Sequence, residues 1–309
     1  MKAKFSGHDT FPMRYGWLFK SLNHLKNNGK LQTSNEQKTR EAIVKLGVGK
    51  NMVNAIRYWS ESASLIKLAK SDSEFVHNIT ENGDFLAKVD PYLEHVGTIW
   101  LVHFWLNFNQ AELTAFRYFF NYSNVQHFEK SKLLGDFSED CKRLVSGGDT
   151  KETTLKKDID CFLNTYSKKG KLTKATKSTD ITEEYFTSPL AELNLVKAHG
   201  NGFYLSALAE RSELPIEIFA YSLLQYIISE SVDSKLYKVD FDSILRKPCS
   251  PGRIFRLSEA GLGQKLDEVE KYTEGHISWD DSLGLRQVKI SESLLSKPMM
   301  FLDDYYGGK

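Results

Sequence analysis

The spacing of hydrophobic positions predicts a succession of short amphipathic helices. In the first part of the chain, apolar residues recur every three or four positions, a period typical of helices with one buried face. The helices predicted there cover residues 13–27, 36–46 and 50–60. Gly47-Val48-Gly49 separates the second helix from the third, and short apolar runs at 65–68 and 85–87, around Asn82-Gly83, predict a β-hairpin after them.

A helix, a short glycine turn, a second helix and a hairpin follow one another in winged helix-turn-helix units. Similar successions of helices end at hairpins predicted around Asn201-Gly202 and around 280–284. The sequence therefore predicts a mainly α protein with small β-hairpins, built from tandem winged-helix-turn-helix-like units. The predicted units are 1–90, 91–210 with a basic insertion at 167–179, and 211–309.

The composition is that of a globular protein with a sizeable core, because 41% of the 309 residues are hydrophobic and 26% are charged. No uninterrupted apolar run approaches the length of a membrane span. The N-terminus lacks a signal-peptide pattern, so a cytoplasmic location is the expectation. Cys141, Cys161 and Cys249 have neither zinc-site nor disulfide spacing, and we interpret them as small buried hydrophobic residues.

Positive charge is concentrated in two blocks, although the formal net charge is only +1. Residues 1–59 contain 11 Lys and Arg against 3 Asp and Glu, and residues 142–177 contain 10 against 4. Such blocks favour local contact with a polyanion such as nucleic acid. Solvated lysine faces without a ligand are the alternative interpretation.

The third predicted helix would be the recognition helix of the first unit, and its free face would carry Lys50, Asn51, Asn54 and Arg57. Lysine and arginine suit phosphates, while asparagine and arginine also read base edges. In the second block, Lys156 and Lys157 near the start of a predicted helix could hold phosphates.

A turn-rich segment, residues 249–256, contains Arg253 and Arg256. Together with Arg286 these arginines could form a phosphate clamp. Pairing of the arginines with nearby acids such as Glu259 and Asp281 is an equally good interpretation.

His8 and Asp9 are the strongest candidates for chemistry, because an imidazole beside a carboxylate can transfer protons or bind a metal. Adjacent residues of an extended segment point in opposite directions, however, and Asp9 or Thr10 could simply cap the following helix. The sequence contains no P-loop, no dinucleotide-binding glycine motif and no His-Glu-x-x-His zinc motif.

Several motifs resemble those of the SspB-like family of bacterial DNA phosphorothioation systems, long regarded as a domain of unknown function. The motifs are FSGHDTFPMRYGWL at 5–18, LGVGKNMV at 46–53, AIRYW at 55–59, DPYLE at 90–94, GTIWL at 97–101, TLKKDIDCF at 154–162, SPLAEL at 188–193, SPGR at 250–253 and GLRQV at 284–288. They occur in order over nearly the whole chain. Asp9 stands where the family usually has glutamate.

The resemblance implies a strand-nicking, DNA-binding component of a system that replaces a phosphate oxygen of DNA with sulfur and defends against phages. It also implies double-stranded DNA, a cysteine desulfurase, an ATPase and an ATP pyrophosphatase as partners. We expect His8 and Asp9 to provide the acid-base or metal-binding groups, with Arg14 as charge partner. A requirement for Mg²⁺ or Mn²⁺ is expected for such chemistry. The alternative is a non-catalytic DNA-binding adaptor or transcriptional regulator that recruits partner enzymes.

Overall fold

The computed structural model describes residues 1–31, 35–71, 74–146, 150–168, 188–230, 238–281 and 286–307. It is mainly helical with small β-hairpins, which confirms that part of the predicted fold class, and β1 and β4 form a short parallel pair. Among the described residues, no helix has both the length and the apolar composition needed to cross a bilayer.

Two compact units make up the chain. Unit 1 comprises residues 1–106, 111–116 and 125–206, and unit 2 comprises residues 107–110, 117–124 and 207–309. Both the first and the second predicted unit fall almost wholly within unit 1, and the third falls within unit 2. The three-unit division based on winged helices stays a prediction.

Unit 1 begins with three helices and a hairpin, continues through a helical core and ends at a three-stranded sheet. Its elements are β1 (Lys2–Ala3), α1 (Trp17–Lys26), α2 (Glu36–Leu46), α3 (Lys50–Ser62), β2 (Ile66–Ser71), β3 (Glu74–Ile79), α4 (Glu81–Val89), α5 (Val96–Asn107), β4 (Glu112–Leu113), the start of α6 (Ala115–Asn121), β5 (His127–Glu129), α7 (Lys130–Leu144), α8 (Glu152–Tyr166), a 3-10 helix (Pro189–Leu193), β6 (Lys197–Ala198) and β7 (Phe203–Leu205).

α2 and α3 begin where the periodicity predicts them, whereas α1 begins at Trp17, four residues after its predicted start. The side chain of Asn35 accepts hydrogen bonds from the backbone N–H groups of Gln37 and Lys38 and so caps α2. Gly47 ends α2 in the left-handed conformation, at φ 63°, which glycine adopts without a steric penalty. The turn between α2 and α3 is therefore the short one that the sequence predicts.

The hairpin that follows α3 differs from the prediction. β2 pairs with β3, so the hairpin closes within residues 66–79, and the second predicted strand, 85–87, is instead part of α4. Thr80 caps α4 by accepting a hydrogen bond from Gly83 N. Asn82-Gly83 is thus the first turn of a helix, and a β-carbon on Gly83 would lie 2.2 Å from the carbonyl oxygen of Leu65. Close packing, and not a β-turn, explains this glycine.

Large aromatic side chains fill the core of unit 1, including Trp59, Trp100, Phe104 and Tyr166. The sheet order β5-β7-β6 confirms the hairpin predicted around Asn201-Gly202. Except for its first two residues, the predicted basic insertion at 167–179 lies outside the described residues.

Unit 2 packs helices against a second antiparallel sheet of order β8-β10-β9. Its further elements are α9 (Ile216–Glu230), β8 (Lys238–Asp240), α10 (Phe241–Arg246), α11 (Pro251–Ile254), α12 (Glu259–Tyr272), β9 (Ile277–Asp280), β10 (Gln287–Ile290), α13 (Glu292–Leu295) and α14 (Met300–Gly307). The turn-rich segment at 249–256 contains the short helix α11. All three cysteines are buried and free, as the sequence predicts.

Candidate nucleic-acid interface

The segment from Phe5 to Phe11, which contains the candidate catalytic pair, forms consecutive tight turns. Ser6, Asp9 and Thr10 all have positive φ angles, of 60°, 46° and 67°. Backbone hydrogen bonds run from Asp9 N to Ser6 O and from Phe11 N to His8 O. Non-glycine residues in this conformation carry backbone strain, which proteins retain mainly where the surroundings hold it for a function. We call residues 5–11 the N-terminal segment.

His8 points inward and is held by its surroundings on each side. Its side chain is almost fully buried, with Nε2 3.1 Å from Oδ1 of Asp158 on α8, although the angle is not that of a hydrogen bond. Thr10 N donates to Nδ1 over 3.0 Å, so the ring proton is on Nε2. The ring also stacks on Trp59 and meets the edge of Tyr58 on α3.

Asp158 holds the N-terminal segment against α8. Its two carboxylate oxygens accept hydrogen bonds from Ser6 N at 3.2 and 2.9 Å. The carboxylate is buried, and hydrogen bonds from a backbone N–H stabilise such a buried charge. Asp160, two residues later on the same helix, pairs instead with Lys130. The partnership of His8 with Asp158 was not predicted.

Asp9 points to a different neighbour from His8, as expected for adjacent residues. Its Oδ2 accepts a hydrogen bond of 3.0 Å from Nδ2 of Asn54 on α3, and its side chain stays partly exposed. Neither Asp9 nor Thr10 caps α1, because that helix begins only at Trp17, after Gly16. The capping interpretation of these residues is therefore wrong. The segment is fixed to both α3 and α8.

Arg14 lies just after the N-terminal segment and borders a groove. Its guanidinium group lies over the rings of Phe11 and Trp17, 5.6 and 5.4 Å from their centroids. The groove has a volume of about 720 Å³ and is also lined by Lys20 and by the turn between α2 and α3. Attraction to the two ring faces therefore positions a positive charge beside the groove.

The four residues predicted on the free face of α3 differ in exposure. Lys50 and Asn51 are exposed in its first turn. Asn54 is partly buried by its hydrogen bond to Asp9, and Arg57 is partly buried with Nη1 3.5 Å from the carbonyl oxygen of Leu31. The exposed part of the predicted face is thus the N-terminal end of the helix.

On α8, Lys156 and Lys157 are exposed and directly precede the buried Asp158. The same helix therefore presents two lysines to solvent and anchors the N-terminal segment.

Ion pairs neutralise some of the described lysines of unit 1 but not others. Lys30 and Lys38 both lie 3.0 Å from Glu74, and these contacts lower the pKa of that carboxyl group. Lys4 pairs with Glu61 and Glu112. Within the described part of the chain, Lys50, Lys156 and Lys157 form no ion pair. Uncompensated charge therefore remains at the start of α3 and of α8.

The three arginines of the predicted clamp lie in unit 2 and have different environments. Arg286 pairs with Glu259 at 2.6 Å and with Asp281 at 3.6 Å, as the alternative interpretation expects. Among the described residues, the guanidinium group of Arg253 hydrogen-bonds only neutral oxygens. Arg256 is 2% exposed, with its guanidinium group 5.3 Å from the ring centroid of Phe119.

A divalent ion would find few protein ligands near the N-terminal segment. In the ranges that the structure describes, no group of three or more His, Cys, Asp and Glu side chains could hold a metal. Asp9 supplies one partly exposed carboxylate. One carboxylate together with substrate phosphate and water is a mode of binding that Mg²⁺ accepts.

Comparison with known proteins identifies the family. The model of the family described as "Protein of unknown function (DUF4007)" matches residues 5–306. The fold is similar to a magnesium ion-bound SspB crystal structure, with a TM-score of 0.81 and 25% identity, and to another SspB crystal structure, with a TM-score of 0.82 and 26% identity. Each likeness covers 99% of this chain and 89% of the other. No curated protein matches significantly. The chain therefore belongs to the DUF4007 family and is an SspB-like protein.

Proposed function

We propose that the protein is the DNA-binding, strand-nicking component of a bacterial DNA phosphorothioation and phage-defence system. The observation that carries the proposal is the strained N-terminal segment, bound to α3 through Asp9 and Asn54 and to α8 through Asp158. The candidate catalytic segment is thereby joined to the two helices that carry the exposed lysines of unit 1.

Duplex DNA would be bound by the exposed ends of α3 and α8. Lys50, Lys156 and Lys157 would neutralise phosphates, and the exposed Asn51 would contact phosphate or a base edge. The order α2, α3, β2 and β3 suits a winged helix, in which α3 enters the major groove and the hairpin is the wing. Lys67 and Lys70 are exposed on that hairpin.

Nicking breaks one phosphodiester bond when water attacks phosphorus and the bond to the leaving oxygen opens. Asp9 is the partly exposed carboxylate of the segment and would accept the water proton or bind Mg²⁺ or Mn²⁺, which supplies charge neutralisation when bound. Arg14 would stabilise charge on the phosphate. Both ring nitrogens of His8 face protein groups, so His8 would position the segment instead of touching substrate.

The proposed partners follow from membership in such a system. They are double-stranded DNA, a cysteine desulfurase that supplies sulfur, an ATPase and an ATP pyrophosphatase, and the proposed location is the cytoplasm. A nick made by this protein would give the sulfur-inserting enzymes access to one strand.

A non-catalytic DNA-binding adaptor or transcriptional regulator is the second candidate function. It is favoured by the burial of His8 and by the single partly exposed carboxylate in the segment. The adaptor would use the same cationic ends of α3 and α8, and would recruit enzymes without breaking a strand.

Relaxation of supercoiled plasmid, with and without Mg²⁺ or Mn²⁺, tests the two candidates. Nicking predicts metal-dependent open circles from the native protein, and none from a His8→Ala, Asp9→Ala double variant that still folds. Asp84→Asn on α4, an exposed carboxylate away from the segment, is the matched control and should nick normally. Salt-sensitive duplex binding without open circles would establish the adaptor, and nicking by the double variant would remove the catalytic assignment.

A further inference from the structure

Unit 2 contains a pocket of about 530 Å³ that is lined by three arginines. Arg246, Arg253 and Arg256 contribute to its walls, together with Asn124, Leu257 and Glu259. A pocket of this volume is in the range that encloses small ligands.

Arg253 is fixed in place by neutral partners. Its Nε donates to Asn121 O at 3.1 Å, Nη1 to Asn124 Oδ1 at 2.6 Å and Nη2 to Ser123 O at 3.0 Å. Three hydrogen bonds to neutral oxygens orient the guanidinium group, and no acid in the described ranges forms an ion pair with it. Both terminal nitrogens still carry a further N–H, because guanidinium has five donors.

Arg256 and Arg211 increase the positive charge around the pocket. Arg211 donates from Nε to Phe255 O at 3.1 Å and from Nη2 to Ala207 O at 2.7 Å. Burial, followed by the charges of Arg253 and Arg211, lowers the pKa of Arg256 to about 9. The group remains a cation at neutral pH, so three mutually repelling charges are held close together. Glu213 offsets part of this repulsion at Arg211.

The backbone that carries two of these arginines is strained. Arg211 and Arg256 have positive φ angles of 55° and 54°. Hydrogen bonds between Ala209 N and Arg256 O, and between Ser258 N and Ala209 O, hold the two loops together. Strain and repulsion at one place are typical of a site that is completed by a ligand.

Of two acids near the pocket, one is directed away from it and the other pairs with a lining arginine. Glu259 lines the pocket, but its Oε1 lies 2.6 Å from Nη1 of Arg286, which is not part of the lining. Asp242 pairs with the exposed Arg246 at 3.3 Å.

We propose that this pocket binds a phosphoryl group, held by Arg253, Arg256 and Arg246. Guanidinium groups bind phosphate oxygens through paired N–H donors, and an anion here would relieve the repulsion among the arginines. The proposal differs from the predicted clamp, because the pocket encloses one phosphate and excludes Arg286. It extends the proposed function, but it does not depend on strand nicking.

Titration of the full chain with inorganic phosphate, at constant ionic strength maintained with chloride, tests the pocket. Calorimetry and the thermal unfolding midpoint should show saturable binding and stabilisation. Arg256→Gln should weaken binding by at least ten-fold, and Arg246→Glu by several-fold. Arg246 is exposed, so its replacement provides the test even if the Arg256 variant fails to fold.

Arg40→Glu on α2 is the matched control, because Arg40 is also exposed and also pairs with an acid four residues away. It should bind phosphate as the native protein does. Absence of saturable binding, or equal binding by Arg246→Glu and the native protein, would overturn the proposal. Duplexes with a 5′-phosphate or a 5′-hydroxyl then identify the source: a preference for the phosphate that Arg246→Glu abolishes indicates a DNA end, and no preference indicates a free phosphate compound.

Discussion

Nε2 of His8 lies 3.1 Å from Oδ1 of Asp158, and this contact joins the N-terminal segment to α8. The same carboxylate accepts two hydrogen bonds from the backbone of Ser6, 152 positions away. Because Ser6, Asp9 and Thr10 have strained backbones, the segment needs such external contacts to keep its shape. Asp158 is therefore the residue on which the geometry of the candidate site depends.

Replacement of Asp158 tests this dependence. Asp158→Asn preserves the shape of the side chain but removes a buried charge that accepts backbone hydrogen bonds, so we expect unfolding free energy to fall by about 1 to 3 kcal/mol. Denaturant unfolding followed by circular dichroism measures the change. Asp160→Asn, which loses only a partly exposed ion pair, should change stability by less than about 0.5 kcal/mol. Equal effects of the two variants would contradict the anchoring role.

If the exposed ends of α3 and α8 bind duplex DNA, the affinity for DNA should have a particular salt dependence. A Lys50→Ala, Lys156→Ala, Lys157→Ala variant should bind duplex more weakly at all sequences, because these exposed lysines would neutralise phosphates. The slope of log affinity against log salt should become shallower by about 2 to 3, at roughly 0.9 for each lost phosphate contact.

The control for this surface is a variant with three other exposed lysines replaced, Lys142→Ala, Lys197→Ala and Lys271→Ala. It has the same net charge as the test variant, so its salt slope should stay close to that of the native protein. A similar loss of binding in both variants would indicate attraction by overall charge and would contradict a defined surface.

Two of the helical glycines, Gly83 and Gly135, should respond in opposite ways to replacement by alanine. A β-carbon at Gly83 would clash with Leu65 O, so Gly83→Ala should destabilise the protein by about 1 to 3 kcal/mol. Nothing lies within 4 Å of a β-carbon at Gly135 in α7, so Gly135→Ala should stabilise it by about 0.5 to 1 kcal/mol. Thermal unfolding of both variants provides the measurement. Stabilisation by Gly83→Ala would contradict the close packing of α4.

The region around Gly83 also illustrates which elements could be predicted from the sequence and which could not. Periodicity located α1, α2 and α3, and a cap also marked the start of α2, because such signals are local to each helix. Asn82-Gly83 has the composition of a hairpin turn, but Thr80 caps a helix there and Leu65 packs against the glycine. Only tertiary packing distinguishes these two uses of the same dipeptide.

The contact of His77 with Glu61 should make stability depend on pH. Burial raises the pKa of Glu61, but hydrogen bonding to His77 at 2.7 Å and the charge of Lys4 outweigh it, so the pKa lies below its ordinary value of 4.5. A lowered folded-state pKa means a contribution that is present above about pH 4.5 and is lost as the pH falls through the folded pKa.

Glu61→Gln should therefore cost stability at pH 7, by about 1 kcal/mol, and the difference from the native protein should shrink in acid. Urea unfolding of both proteins at neutral and acidic pH measures the difference. Glu41→Gln, on the exposed surface of α2, is the control and should behave as the native protein does at each pH. A stability difference for Glu61→Gln that grows as the pH falls would contradict a lowered pKa of Glu61 in the folded protein.

The candidate site was predicted only in part. Motif and charge pointed to His8, Asp9, Lys50 and Lys156, and the structure links their elements through the N-terminal segment. The partnership of His8 with Asp158 joins residues far apart in sequence, and no local pattern specifies such a pair. In unit 2 the sequence pointed to Arg253 and Arg256, but not to Asn124, which only folding brings to Arg253.

Segments of the two units alternate along the chain, and this has a consequence for synthesis on the ribosome. Residues 117–124 belong to unit 2, where Arg253 hydrogen-bonds three of them, yet more than eighty residues of unit 1 are translated before the rest of unit 2 begins at Ala207. At about 5 to 20 residues per second, residues 117–124 are synthesised several seconds before the part of unit 2 that they contact. A gene fragment starting at Ala207 would consequently lack residues 117–124, which contain the hydrogen-bond partners of Arg253. Expression of unit 2 alone should therefore retain residues 107–124.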